Sequence, residues 1–177
     1  VPLISHVSEF KAVKQLIVEE AAEISPKNRV DYEVGAMIEL PRACVTADQI
    51  APEATFFSFG TNDLTQTTFG FSRDDVESKF LNSYLEEEIL PQNPFVELDR
   101  KGVGRLIEFA NRTGKRKNST LRTGICGEQG GNPPSIAFCQ QAGLDYVSCS
   151  PYRVPVARLA AAQARLQQEE KSTGKIA

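Results

Sequence analysis

The chain has 177 residues, 41% hydrophobic and 24% charged, which is enough ordinary globular sequence to bury the core of one domain. A net charge of -3 and a sequence pI of about 5.3 lack the basic excess that nucleic acid or an anionic membrane attracts. No apolar run approaches the roughly 20 residues that cross a bilayer, and no charged-then-apolar leader opens the chain, so a soluble setting is expected, cytoplasmic or organellar.

Residues 1–5 read as the end of a strand. Residues 9–24 carry Phe10, Val13, Ile17, Ala21 and Ile24 at helical spacing, and Ser25-Pro26 stops that helix. A second strand is predicted over 32–40, closed by Pro41, then a short helix over 43–50. A compact strand over 55–59 leads into Gly60-Thr61-Asn62-Asp63, and a long irregular stretch follows. Residues 101–113 form a helix ended by Gly114, and 121–126 a strand running into a glycine-rich turn over 127–131. A helix over 134–142 is capped by Gly143, a last strand covers 146–149, and a terminal helix covers 151–168.

Strand–helix alternation with nearly non-alternating apolar strands predicts a parallel α/β sheet buried on both faces. About five strand–helix units are present. The expected architecture is an open sheet or the C-terminal part of a (β/α)8 barrel whose early strands are missing. Residues 1–168 form the expected domain and 169–177 a polar tail. Because the chain opens on Val1 rather than Met, it reads as a piece of a longer protein.

Chemistry in parallel α/β folds collects where strands end and βα loops open. Three strand ends carry polar clusters. Glu39 stands between Ile38 and Leu40; Asp63 closes Gly60-Thr61-Asn62-Asp63; and Cys126 lies between Gly124 and Gly127. Two carboxylates at neighbouring strand ends suit a hard divalent cation such as Mg2+, with positions left for substrate. The same acids also read as helix caps or solvated loop residues, and Gly60–Asp63 as a plain turn. Cys126 reads either as inert packing or as a functional thiol, raised by its strand-end position and its glycines. Cys44, Cys139 and Cys149 lack that context, and no C-x-x-C pair occurs, so reduced structural thiols are expected. His6, the only histidine, reads as a surface residue or a base, and Arg42 as a contact near the site.

Phe59-Gly60-Thr61-Asn62-Asp63-Leu64-Thr65-Gln66, Met37-Ile38-Glu39 and Gly124-Ile125-Cys126-Gly127-Glu128 together resemble, in order, three blocks of the phosphoenolpyruvate-utilising enzyme family. Thr68-Phe69-Gly70-Phe71-Ser72-Arg73-Asp74-Asp75 and Tyr146-Val147-Ser148-Cys149-Ser150-Pro151 fit the pyruvate, phosphate dikinase branch better than the phosphoenolpyruvate synthases or phosphotransferase enzyme I. The resemblance implies Glu39 and Asp63 as Mg2+ ligands. It implies that Glu39, Gly60, Thr61, Asn62 and Asp63 hold phosphoenolpyruvate or pyruvate, and that Cys126 protonates the enolate carbon. It also implies a homodimer and a phosphohistidine domain elsewhere in the polypeptide. Where dikinases often read Gly-Glu-His-Gly-Gly, this chain has Gly127-Glu128-Gln129-Gly130-Gly131. A pyruvate-enolate carbon–carbon lyase and an inactive dimerisation fragment are the other readings.

Overall fold

The computed structural model describes residues 1–24 and 31–172. Four strands form one parallel sheet in the order in which they occur: β1 (Ala36–Ile38), β2 (Phe56–Gly60), β3 (Arg122–Cys126) and β4 (Tyr146–Val147). A doubly wound open sheet reverses its strand order and covers both faces with helices. Here the order never reverses, as in a segment of a barrel. Residues 1–5 are not a strand, yet Val1 makes the bond pattern of one. Its amino nitrogen donates to Gly35 O at 2.7 Å, and Met37 N donates to Val1 O at 2.9 Å. That single bridge stands where a fifth strand would lie beside β1.

The sheet is covered on one face, not both. Register aligns Ala36 with Phe57 and Thr123, and Ile38 with Phe59 and Ile125. All six are buried, and the five apolar ones form a core with Ile50, Val103, Ile107, Ala110 and Phe138 of the flanking helices. The intervening row, Met37, Ser58, Gly124 and Tyr146, points to the opposite face, where only Gly124 is buried. Strand residues alternate in burial because side chains alternate across a pleat and only one side meets helices.

The helices follow the predicted order with instructive differences. α1 (Val7–Ile24) forms as its periodicity predicts, but Phe10 alone is buried on it, and Leu16 and Ile24 are 59% and 80% exposed. The expected stop at Ser25-Pro26 lies outside the described residues. The predicted helix over 43–50 is two, α2 (Pro41–Val45) and α3 (Ala47–Ile50).

The stretch expected to be irregular folds into α4 (Thr61–Phe69), α5 (Arg73–Lys79) and α6 (Leu81–Glu86). Their own small core of Val76, Leu81 and Phe95 packs with Phe71, Phe80, Leu85 and Leu90. Gly114 does not end α7 (Val103–Lys117) but lies inside it. A Cβ at Gly114 would come within 3.0 Å of Leu121 and Phe57, so the glycine lets helix and strand approach. The helix stops at Asn118, whose amide donates to Ala51 O and Ala54 O.

α8 (Pro133–Gln141) is capped by Asn132, which accepts from Ser135 N at 3.0 Å, and Gly143 follows it at φ 73°. α9 (Val154–Ser172) packs Ala157 and Ala160 against Ile136 of α8 and continues into the segment read as a tail. No helix among the described residues is long and apolar enough to cross a membrane.

Candidate active site

Register carries the three candidate strand ends into one row. Gly60 pairs with Cys126, and Ile38 pairs with Phe59, so Glu39 stands beside Gly60 on the next level. Glu39, Gly60 and Cys126 therefore share the face that the helices leave uncovered. Each is supplied by a different strand.

Glu39 is only 2% exposed, and the Leu3 amide donates to its Oε1 at 2.7 Å. Burial pushes its carboxyl above the ordinary glutamate range; the Leu3 N–H opposes the rise, and the Asp63 carboxylate adds to it. The Asp63 carboxylate thus lies close to that of Glu39. Asp63 sits in the first turn of α4, half-buried, and accepts from Gln66 Nε2 at 3.1 Å. Gly60 makes the approach possible, because a Cβ there would overlap the Glu39 carboxylate and sit 2.8 Å from its Cβ. A buried glutamate facing a half-buried aspartate is a donor set that suits a small divalent cation, with its other positions left to water or substrate. Among the described residues no group of three or more His, Cys, Asp or Glu gathers, so the pair is the whole of the acidic donor set.

Cys126 closes β3, half-buried, with its thiol 3.6 Å from Phe59 O. Burial pushes the Cys44 and Cys139 thiols up to about 12, which suits inert packing; Cys126 and Cys149 are the half-buried pair. After Cys126 the chain turns through Gly127 at φ 105°, a conformation that favours glycine. Thr61 Oγ1 spans the gap between the two loops, 2.9 Å from Cys126 O and 2.7 Å from Gln129 Oε1. Asn62 is half-buried, and its Oδ1 accepts from Arg73 Nη1 at 3.3 Å.

Two residues not singled out from sequence belong to this face. Tyr146 lays its ring across Gly124, one level below Cys126, and donates to Phe57 O at 3.2 Å. Burial raises its phenol, and the Cys126 sulfur adds to the rise. Arg73 at the start of α5 reaches Glu128 Oε1 at 2.7 Å as well as Asn62, so it bridges the loops after β2 and β3. The Arg73 guanidinium in turn holds the Glu128 carboxyl below the usual range. The signal for Tyr146 was a glycine on the neighbouring strand; Arg73 lies 10 residues beyond Asp63, with no local cue.

His6 and Arg42 take local roles instead. His6 Nδ1 pairs with Ser8 Oγ at 2.7 Å at the exposed start of α1, and Arg42 donates to Ser5 O. A cleft of about 490 Å3 opens beside the row, lined by Gly127, Glu128, Ser148, Cys149 and Arg153 among others.

Comparison with known proteins fits this geometry. A family profile described as "PEP-utilising enzyme, PEP-binding domain" matches residues 1–166. The pyruvate, phosphate dikinase of Clostridium symbiosum is 55% identical over 168 residues, 94% of this chain and 19% of that protein. That of Rhizobium meliloti (strain 1021) is 56% identical over 172 residues, covering 96% and 19%. A chloroplastic pyruvate, phosphate dikinase of Mesembryanthemum crystallinum is 56% identical over 165 residues, covering 92% and 17%. The chain spans under a fifth of the length of these relatives. With the consecutive parallel sheet, the shared strand-end row and a profile match over nearly its whole length, the chain belongs to the PEP-utilising enzyme family, as part of its PEP-binding barrel domain.

Proposed function

We propose that this chain supplies the enolpyruvate half-site of a pyruvate, phosphate dikinase. The complete enzyme would interconvert ATP, phosphate and pyruvate with AMP, diphosphate and phosphoenolpyruvate. The observation that carries the reading is the row itself: a buried glutamate, a glycine and a thiol at adjacent strand ends, with Asp63 facing the glutamate from the first turn of α4.

Glu39 and Asp63 would hold Mg2+, whose positive charge stabilises oxygens of the enolate and of the phosphoryl group. Gly60 lets the Glu39 carboxylate lie over the end of β2, within reach of the small substrate, while Thr61 and Asn62 orient it from the first turn of α4. Cys126 handles the proton. When phosphoenolpyruvate gives up its phosphoryl group, the C–O–P bond breaks at phosphorus and an enolate remains. The Cys126 S–H donates its proton to C3 and is left as thiolate; in reverse the thiolate takes a proton from the methyl group of pyruvate. The phosphoryl acceptor would be a histidine of a separate phosphohistidine domain, and the assembly a homodimer. Transfer itself asks for positioning and charge neutralisation more than for covalent help from this domain.

The test uses the full-length polypeptide that carries this chain. Exchange of the pyruvate methyl protons with deuterated solvent should require Mg2+ and should fall by about 10²–10⁴-fold in Cys126→Ala. Exchange that survives the substitution would remove the thiol from the mechanism. Net turnover should stop without inorganic phosphate; turnover unchanged without it would favour a phosphoenolpyruvate synthase.

A further inference from the structure

Gln129 is fully buried, and every polar group of its side chain is engaged. Its Oε1 accepts from Thr61 Oγ1 at 2.7 Å. Its Nε2 donates to Pro94 O at 3.1 Å and to Phe95 O at 3.2 Å. The partners fix the amide's orientation, since a hydroxyl faces its oxygen and only carbonyls face its nitrogen. One side chain thereby ties together three segments distant in sequence: the first turn of α4, the turn after Cys126 and the loop at 93–95. Phe95 also lies under the Arg73 guanidinium, 5.4 Å from ring centre to the guanidinium carbon, so the same loop supports the Asn62–Arg73–Glu128 bridge.

We propose that Gln129 is a positioning residue, which never touches substrate but sets how tightly the Cys126 strand end is held. The inference takes its functional meaning from the proton-donor role of Cys126, while the positioning is read without turnover. Thr61 has one hydroxyl proton, and both Gln129 Oε1 and Cys126 O face it. That shared bond joins the end of β3 to α4, and the amide nitrogen anchors it to the 93–95 loop. Taking the amide away leaves two buried carbonyls without their donor, a costly state that the turn escapes by opening. The thiol one turn upstream then spends more time in solvent. The turn is packed closely against α4 here, since a Cβ at Gly127 would be 2.8 Å from Thr61 Oγ1.

The polarity pattern makes a sharp test. Gln129→Met keeps the shape and loses every hydrogen bond. Gln129→His offers, while neutral, an acceptor at one ring nitrogen and a donor at the other. In the full-length polypeptide at a pH of about 8, where histidine is neutral, alkylation by iodoacetamide is followed peptide by peptide. The ratio of the Cys126 labelling rate to its rate in the parent should rise on the order of fivefold in Gln129→Met. It should stay near the parent value in Gln129→His. An unchanged ratio in Gln129→Met, or a His variant that labels as fast as the Met variant, overturns the proposal. If Gln129→Met does not fold, Gln129→Asn, too short to span Thr61 and Pro94 together, gives the same reading. Failure of the proton-donor role would show instead as pyruvate exchange surviving Cys126→Ala, and would leave the labelling ratio untouched.

Discussion

Gly60 occupies the position between Glu39 and Cys126 at which a side chain has no room. Its missing Cβ is what lets the Glu39 carboxylate lie over β2 and face Asp63. Gly60→Ala is therefore expected to push Glu39 out of place and to destabilise the protein by about 1–3 kcal/mol. Under the proposed Mg2+ role of Glu39 and Asp63, the melting temperature should rise with added MgCl2 in the parent and not in Gly60→Ala; a preserved rise would detach the cation from this pair. At this scale the sequence was most informative about groups that end strands. Glu39 was visible because it breaks an apolar run, and Asp63 and Cys126 because they stand in the polar or glycine-rich turns just after one. Tyr146 and Arg73 were not, because Tyr146 reads as an ordinary strand aromatic and Arg73 as one more surface charge. Only the register across β3–β4 and the fold-back of α5 bring them to the row.

Among the elements, the junction of β3 with β4 and α7 depends on Asp145. Its carboxylate accepts from Thr123 N at 2.7 Å and pairs with Lys115 Nζ at 2.9 Å. Partial burial opposes ionisation, but Lys115 and the Thr123 N–H outweigh it and hold the acid below the ordinary aspartate range. A depressed acid stabilises the fold above its unfolded pKa, and that contribution fades as pH falls through the folded value. Because the Asp145 side chain is 43% exposed and its ion pair is screened by solvent, Asp145→Asn should cost less than about 1 kcal/mol at neutral pH. It should also flatten the loss of stability below about pH 4, measured by denaturant melts across pH. An acid limb as steep as the parent's would contradict this.

The long helices and the cores of the strands were legible from periodicity. α5 and α6 were not, since seven and six residues are too few to establish a period and their apolar side chains serve a private core. Gly114 misled because a glycine that permits close packing and a glycine that ends a helix look alike in sequence.

For the whole molecule, the uncovered sheet face is the dominant fact. Four strands are half of a closed barrel, and the row that carries the site points into the space the other half would enclose. Leu16 and Ile24 of α1 and Leu159 and Leu166 of α9, at 59%, 80%, 61% and 60% exposure, add apolar surface at the margins. The isolated 177-residue chain is expected to melt broadly and to bind a hydrophobic dye before it melts. The full-length polypeptide should show neither behaviour. A sharp, cooperative transition of the isolated chain in calorimetry would mean that half a barrel is self-sufficient.

The bond from Thr61 to Cys126 spans 65 residues of chain and the one to Gln129 spans 68. That separation has a meaning in time. As the chain emerges from the ribosome at about 5–20 residues per second, Thr61 is made several seconds before either partner exists. Glu39, Gly60 and Asp63 are all in hand before β3 begins, so the charged half of the site is available to assemble during synthesis. The thiol joins late, and the hydroxyl of Thr61 is the group kept waiting for it.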